Sequence, residues 1–283
     1  MGMFPDSLRF HFGMYVDQLV KWLQSNFSVF FDVIKTGTLN FLLGVQNFLM
    51  IIPWWIFIVF IFVIGWKVKG WKAGLSYAVL IFLIGTFGLW EAMMLTLGVV
   101  ITAVIISLII GIPIGIITAY SEKLDMVVKP LLDAMQTMPS FVYLIPAIML
   151  FGLGLVPAVF ATTIYAIPPA IRLTNLAIRR VPREMKEAAY SFGSSPWQTL
   201  IKVELPQALP TIMTGINQTI MMAISMVVIA SMVGAKGLGI NVITAINRID
   251  VAMGSEAGLS IVILAIILDR ITQGMADSFK VSE

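Results

Sequence analysis

Glu187-Ala188-Ala189-Tyr190-Ser191-Phe192-Gly193, followed after nine residues by Val203-Glu204-Leu205-Pro206, forms a polar insert between two long apolar runs. Membrane spans do not carry this density of charge and helix-ending residues, so the insert is read as lying outside the bilayer, with spans on both sides of it. Pro182 suits a first helical position, where its missing N–H is not needed, and Glu184 falls in the first turn, where the helix dipole favours an anion. Met185, Ala188, Ala189 and Phe192 then share one face and Arg183, Lys186 and Glu187 the other, and Gly193 supplies the left-handed residue that ends the helix. Ser195-Pro196-Trp197-Gln198 has the capping-box pattern and opens a second short helix, expected to stop before Pro206. Small side chains at 188 and 189 let a helix backbone seat deeply in a groove of another protein; the same alanines also suit an ordinary solvated helix, where they serve propensity.

The rest of the chain is greasy. It has 59% apolar and only 12% charged residues over 283 positions, with a mean hydropathy of +0.97, whereas a soluble domain has about 25% charged residues. The apolar runs have the length of membrane helices, and the two-residue alternation of membrane barrel strands is missing. The chain reads as an all-α integral membrane protein. With no cysteine and a single histidine, His11, disulfides, thiolate metal sites and imidazole clusters are excluded. Asp6, Arg9, Asp17 and Lys21 interrupt the first 30 residues, so no cleaved signal peptide is expected. A net charge of +3 gives no case for nucleic acid.

Hydropathy, with Trp and Lys/Arg as interface markers, predicts spans near 53–68, 71–90, 92–119, 134–152, 156–177, 207–233 and 257–275. One side then receives Lys67, Lys69, Lys72, Lys123, Lys129, Arg172, Arg179, Arg180, Arg183, Lys186, Lys202, Arg270 and Lys280, 13 of the 18 basic residues, leaving Arg9, Lys21, Lys35, Lys236 and Arg248 on the other. The richer side is read as the cytoplasm, with the N-terminus outside and the C-terminus inside. Trp54, Trp55 and Trp90 mark the outer interface, Trp66 and Trp71 the inner one. Residues 14–34 space Tyr15, Leu19, Trp22, Leu23, Phe27, Phe30, Phe31 and Ile34 as an amphipathic helix suited to the outer headgroup plane. The stretch 36–52 is apolar enough to insert, yet interrupted by Asn40, Gly44, Gln46 and Asn47; an eighth crossing there would put the N-terminus inside. The expected organisation is an interfacial segment over 1–52, scaffold helices over 53–90, a core over 91–275 containing the insert 182–204, and a tail over 276–283.

Glu187-Ala188-Ala189, three residues, Gly193, nine residues and Val203-Glu204-Leu205-Pro206 together resemble the EAA signature of bacterial ATP-binding-cassette importer permeases, with Val in place of the usual Ile. In that family the EAA helix is the coupling helix, seated in a cleft of the ATPase subunit. The resemblance implies a type I, MetI-like transmembrane core in the bacterial cell membrane. It implies transmission contacts at Glu187, Ala188, Ala189 and Gly193, with Leu205 and Pro206 starting the next membrane helix. Residues 133–146, 167–172 and 230–239 are further similar to permeases of the glycine betaine/proline betaine uptake subfamily, whose longer members also carry an N-terminal extension.

Prolines and polar groups inside spans point to cavities or bends. Pro113, Pro139, Pro146, Pro168 and Pro169 fall within or at the start of predicted spans, and Gly111 and Gly115 form a small-xxx-small pair for close helix approach. Gln136, Tyr143, Asn217, Gln218, Thr219 and Ser225 are polar candidates for a translocation path, with Met138, Pro139, Met221, Met222 and Met226 as wall or gate; each also fits simple packing between helices. Asp133 and Arg172 are intramembrane charges expected to pair and to hold two core helices together, while Asp269 and Arg270 read as an interfacial pair.

No G-x-x-x-x-G-K-[ST] phosphate loop occurs, and residues 234–239 fit neither its spacing nor its following Ser/Thr. The expectation is a non-enzymatic permease subunit without cofactor or metal of its own. ATP and Mg would sit on two separate cytoplasmic ATPase subunits, and an external binding protein and a second permease copy, by resemblance a homodimer, would complete the assembly in the lipid. The solute expected from the resemblance is a quaternary ammonium compound, with carnitine, choline or an amino acid as alternatives. An ion-coupled secondary transporter would need acidic residues at the midplane and a repeat between halves, and an intramembrane hydrolase a serine–histidine pair, a zinc site or two membrane aspartates. The sequence offers none of these.

Overall fold

The computed structural model describes residues 12–278, so Arg9, His11 and Lys280 lie outside the described residues. All described elements are helical: α1 (Phe12–Asn26), α2 (Ser28–Ile51), α3 (Trp54–Lys69), α4 (Trp71–Thr86), α5 (Trp90–Tyr120), α6 (Glu122–Thr137), α7 (Leu144–Phe151), α8 (Leu155–Arg179), α9 (Arg183–Ser191), α10 (Pro196–Thr199), α11 (Leu205–Ser225), α12 (Val227–Ser231), α13 (Leu238–Arg248) and α14 (Val251–Ser278), with a 3-10 turn at Ser140–Tyr143 and a π turn at Leu200–Glu204.

The centre is α5 laid against α8, with α11 closing on α8. Glycine makes these contacts possible. A Cβ added to Gly111 would stand 2.9 Å from Ala170 Cβ, and one added to Gly115 would stand 2.7 Å from the Ile171 carbonyl oxygen and 2.6 Å from Thr174 Cβ. The backbones therefore approach at the small-xxx-small pair read from the sequence. Ser107 donates to the Thr163 carbonyl (3.2 Å) across the same seam, so the hydroxyl finds an acceptor on the neighbouring helix. Both helices run unbroken through their internal prolines, Pro113 in α5 and Pro168 and Pro169 in α8.

The scaffold hairpin α3–α4 uses the same device. Gly65 and Gly74 face each other so closely that a Cβ on Gly65 would lie 2.8 Å from Gly74 Cα. Gly70 makes the turn at φ +92°, a region costly to residues bearing a Cβ. Ile61, Tyr77, Ile81, Ile84, Met93, Met94 and Ile267 belong to one buried cluster, which joins the hairpin to α5 and α14.

Breaks in the helices fall elsewhere than the sequence suggests. Among the described residues four single helices, α2, α5, α8 and α14, are long and apolar enough to cross a membrane, and α6 with the 3-10 turn and α7 passes the same test only as a pair bent by 113°, a broken span or a re-entrant loop. The span expected over 134–152 is thus no straight rod; it breaks at Met138 and Pro139, where Tyr143 turns back and donates its hydroxyl to the Met135 carbonyl. The span expected over 207–233 divides at Met226 into α11 and α12. The amphipathic helix expected over 14–34 ends at Asn26, where the Asn26 amide and the Ser25 hydroxyl both take the Trp22 carbonyl (2.8 and 3.0 Å) and so compete with the helical ladder. Residues 28–34 join 36–51 in one 24-residue helix. Its polar interruption is accommodated by packing: Gln46, buried, lies against Gly98 and donates to the Leu95 carbonyl (3.4 Å).

The α5–α8 contact yields a direct test. Gly115→Leu should cost about 1–3 kcal/mol through overpacking against backbone that cannot yield, read as a lowered thermal unfolding midpoint in detergent. Gly44→Ala, where nothing lies within 4 Å, should leave the midpoint unchanged or slightly raised.

Candidate functional site

The polar insert is the most exposed part of the described chain's core half, and none of the residues of α9 is buried. Its helix starts at Arg183, so Pro182 stands one position before the expected place, as the N-cap residue. The end matches expectation: Gly193 has φ +81°, its N–H donates to the Tyr190 carbonyl (2.9 Å) and the Ser194 N–H donates to the Ala189 carbonyl (3.1 Å). These two bonds satisfy carbonyls that the helix leaves open. Ser195 and Gln198 form the reciprocal capping box, with the Ser195 N–H donating to Gln198 Oε1 (2.9 Å) and the Gln198 N–H to Ser195 Oγ (3.3 Å). The second helix does not stop before Pro206. It widens into the π turn, where the Leu205 N–H reaches back to the Leu200 carbonyl, and runs on into α11. A wide turn relieves the clash of a proline ring with the preceding carbonyls, which is why the expected stop is absent.

Glu187 and Ala188 are exposed and Ala189 is half-buried. Phe192 is 93% exposed and Trp197 68%, with Tyr190 and Met185 also open. Four large side chains therefore stand open on an otherwise polar element.

Lys186 corrects the reading of the helix faces. Instead of pointing to solvent with Glu187, it turns inward to Glu204, with Nζ 3.2 Å from Oε2, and donates to the Ile178 carbonyl (3.3 Å) at the end of α8. It also lies 6.0 Å over the Tyr120 ring, at the end of α5. The Glu204 side chain is only 1% exposed. The pair thus ties α9 to the ends of α5 and α8 and to the start of α11. A lone carboxylate beside an apolar run needs a partner, and that signal was available in the sequence.

The residues expected along a path separate into three groups. Gln136, Met138, Pro139, Gln218 and Ser225 are exposed and Met222 is half-buried. Tyr143 and Met226 are instead buried together with Ala158 and Ala230, and Tyr143 meets Tyr165 edge-on at 5.7 Å; Thr219 is buried as well. Asn217 donates to Asp269 Oδ1 (2.9 Å) and accepts from Thr272, tying α11 to α14. Asp269 also accepts from Gln273 (2.6 Å), so its bonds run to amides and not to Arg270 as expected. Asp133 and Arg172 do pair, joining α6 to α8. Two turns away lies a cluster that sequence reading missed: buried Asp125 meets Lys129 (2.7 Å), Arg179 (3.2 Å) and the Asn175 amide (3.2 Å). No group of three or more potential metal ligands occurs among the described residues.

Residues 111–280 match the family described as binding-protein-dependent transport system inner membrane component. The chain is 46% identical over 261 residues to the glycine betaine/proline betaine transport system permease protein ProW of Escherichia coli (strain K12), covering 92% of this chain and 74% of that one. It is 46% identical over 260 residues to the glycine betaine transport system permease protein OpuAB of Bacillus subtilis (strain 168), covering 92% of each. It is 48% identical over 270 residues to the glycine betaine/carnitine transport permease protein GbuB of Listeria monocytogenes, covering 94% of this chain and 95% of that one. Among solved structures, an inward-facing form of the MetNI methionine ABC transporter shares the fold, with a TM-score of 0.62 at 22% identity over 68% of this chain and 96% of that chain.

Breaking the Lys186–Glu204 pair from one side leaves a buried charge alone. Lys186→Met should therefore destabilise by roughly 3 kcal/mol, and the double variant Lys186→Met/Glu204→Leu should recover most of it. Thermal unfolding of the purified protein gives the comparison.

Proposed function

This chain belongs to the family of binding-protein-dependent transport system inner membrane components, and on that premise we propose that it is the permease subunit of an ATP-binding-cassette importer for a quaternary ammonium osmolyte of the glycine betaine kind. The observation that carries the coupling part of this reading is the open α9 insert, anchored to three core helices through Lys186 and Glu204. In this reading Ala188 and Ala189 seat in a groove of a cytoplasmic ATPase subunit, and Glu187 fixes the approach. The turn at Gly193 sets the angle to α10, and Leu205 and Pro206 pass the displacement into α11. ATP is hydrolysed on the partner, since this chain has no phosphate loop of its own.

Solute chemistry fits the exposed faces of α6 and α11. A trimethylammonium group needs apolar or aromatic surface for its methyls and only sparse polar contacts, because tight binding would prevent release. Gln136, Gln218 and Ser225 among Met138, Pro139 and Met222 supply that mixture. Left uncovered in one chain, these faces form half a pathway, which favours a second copy of the same chain as partner, with an external binding protein delivering the solute.

The end carrying α9 is assigned to the cytoplasm, with the C-terminus on that side. Adding α2 to the seven crossings expected from the sequence gives eight and sets the N-terminus on the same side, in place of the outside N-terminus that seven crossings give. The chain has no cysteine, so a lone Gly13→Cys label reports this cleanly: an impermeant maleimide should react only after the membrane is opened, and labelling of intact spheroplasts would contradict the assignment.

Uptake of radiolabelled glycine betaine by the reconstituted complex tests the coupling reading. Ala188→Glu should lower ATP-driven uptake roughly ten-fold or more. Gly193→Val forces a β-branched residue into the left-handed region at a cost of about 1–2 kcal/mol and should act similarly, while Gly193→Asn should retain most activity. Undiminished uptake in both damaging variants would count against coupling through α9.

A further inference from the structure

The two ion pairs between α6 and α8 form an antiparallel ladder whose rungs differ in kind. Asp125 faces Arg179 and Asp133 faces Arg172. The two aspartates are about 12 Å apart along α6 and the two arginines about 10–11 Å apart along α8, so the rungs stand in register.

The rung nearer the insert is built into the interior. The Asp125 side chain is 11% exposed and is held by Lys129 and Arg179 and by the Asn175 amide, which also reaches Thr118 Oγ1 (2.9 Å). Arg179 donates in addition to the Thr118 carbonyl (3.0 Å), so α5, α6 and α8 meet at this point. Opening it would take from the buried carboxylate its one charged partner on α8, leaving Lys129 and the Asn175 amide. The second rung is the more exposed in the single chain: Asp133 is 66% exposed, a single Arg172 terminal nitrogen makes the contact, and Arg172 Nε, itself buried, finds no hydrogen-bond partner among the described residues. A pair made through one contact, with its carboxylate largely exposed, holds the helices less firmly than the buried rung.

Packing between the rungs is thin. Of α6 only Asp125 and Leu132 are buried. Leu132 meets Ile167 and Ile171, and beside it a cavity of about 340 Å³ is lined by Asp125, Val128, Lys129, Arg172, Asn175 and Arg179, among others. A close-packed interface resists displacement, whereas a half-open cleft beside a single apolar seam leaves room for a helix to tilt. The far end of α6 is free of a continuing helix, because the chain breaks at Met138 and Pro139 with the 113° bend. Its near end adjoins Arg179, four residues before α9 begins at Arg183.

Resting on the permease reading above, we propose that Asp125 and Arg179 are positioning residues that hold the base of α6 to the end of α8, and that the Asp133–Arg172 rung opens and closes as α6 swings on that base. Movement of α9 then reaches Gln136, Met138 and Pro139 through a fixed pivot and a breakable latch. Neither part needs a change in the α5–α8 contact, where the glycines leave no freedom.

The cysteine-free sequence permits a double test in the reconstituted complex, with cysteine-free partner subunits and radiolabelled glycine betaine. Closing Asp133→Cys/Arg172→Cys with a short bis-methanethiosulfonate bridge should lower uptake roughly ten-fold, with recovery on adding reductant and with the ATPase subunit still bound throughout. Asp125→Cys/Arg179→Cys should behave in the opposite sense, with uptake low before bridging and rising after it. Full uptake with the outer bridge closed, or an inner bridge that blocks as the outer one does, overturns the proposal. The outer pair is the more exposed of the two, so that arm is read separately from the inner double variant. Unsubstituted complexes that take up no solute on addition of ATP would count against the permease reading and leave the rungs to be tested by accessibility of the two cysteines under nucleotide.

Discussion

A carboxylate buried at Glu204 must be neutralised or paired, and the structure pairs it with Lys186 from the middle of α9. That requirement fixes where the insert stands. Because Lys186 also reaches the end of α8 and lies over Tyr120 at the end of α5, one ammonium group gathers the ends of three helices around the start of α11. The rest of α9 is then free to face outward, with its two alanines and Phe192 available to another protein. Rigid attachment on one face and an open surface on the other are what a part needs if force applied to it is to reach the membrane helices.

The core answers this with two kinds of contact. Between α5 and α8 the glycines bring backbones together so tightly that no side chain fits at 111 or 115, which makes that pair a single rigid unit. Between α6 and α8 the contact is a narrow apolar seam flanked by charge, beside a cavity. The polar candidates for a solute path follow the same division. Gln136 lies on the loosely held helix, while Asn217 is spent in binding α11 to α14 through Asp269 and Thr272. A residue's polarity inside a membrane helix therefore marks either a path or a joint, and only its partners tell which.

Much of this was legible in the sequence where the cause is local. Gly193 ends α9 in the left-handed region and Ser195 with Gln198 caps α10, because each depends on residues within a few positions of itself. Gly111 and Gly115 mark a close helix contact because nothing but a missing side chain is required, and the EAA spacing with its flanking residues places the chain in its family. What escaped depends on contacts beyond a single helix or on the geometry of a turn. The break at Met138–Pro139 is held by Tyr143 folding back to Met135, and the polar residue that made 36–52 ambiguous is answered by Leu95 and Gly98, nearly fifty positions away. Lys186 was placed on the wet face by helical spacing alone; its partner lies beyond a turn whose geometry the prolines obscured. The π turn at Leu200–Glu204 is the same lesson, since Pro206 reads as a stop unless the widened turn before it is known.

The most direct measurement of the central claim is site-specific crosslinking from α9 in the assembled, membrane-embedded complex. With a single cysteine introduced by Ala188→Cys and another in the groove of the ATPase subunit, a crosslink should form in the assembled complex. Its yield should change between nucleotide-free and ATP-bound states, and ATP-driven uptake should stop until the link is reduced. A cysteine at this position that reacts only with reagents outside the cell, or that never links to the ATPase in any nucleotide state, would contradict the account.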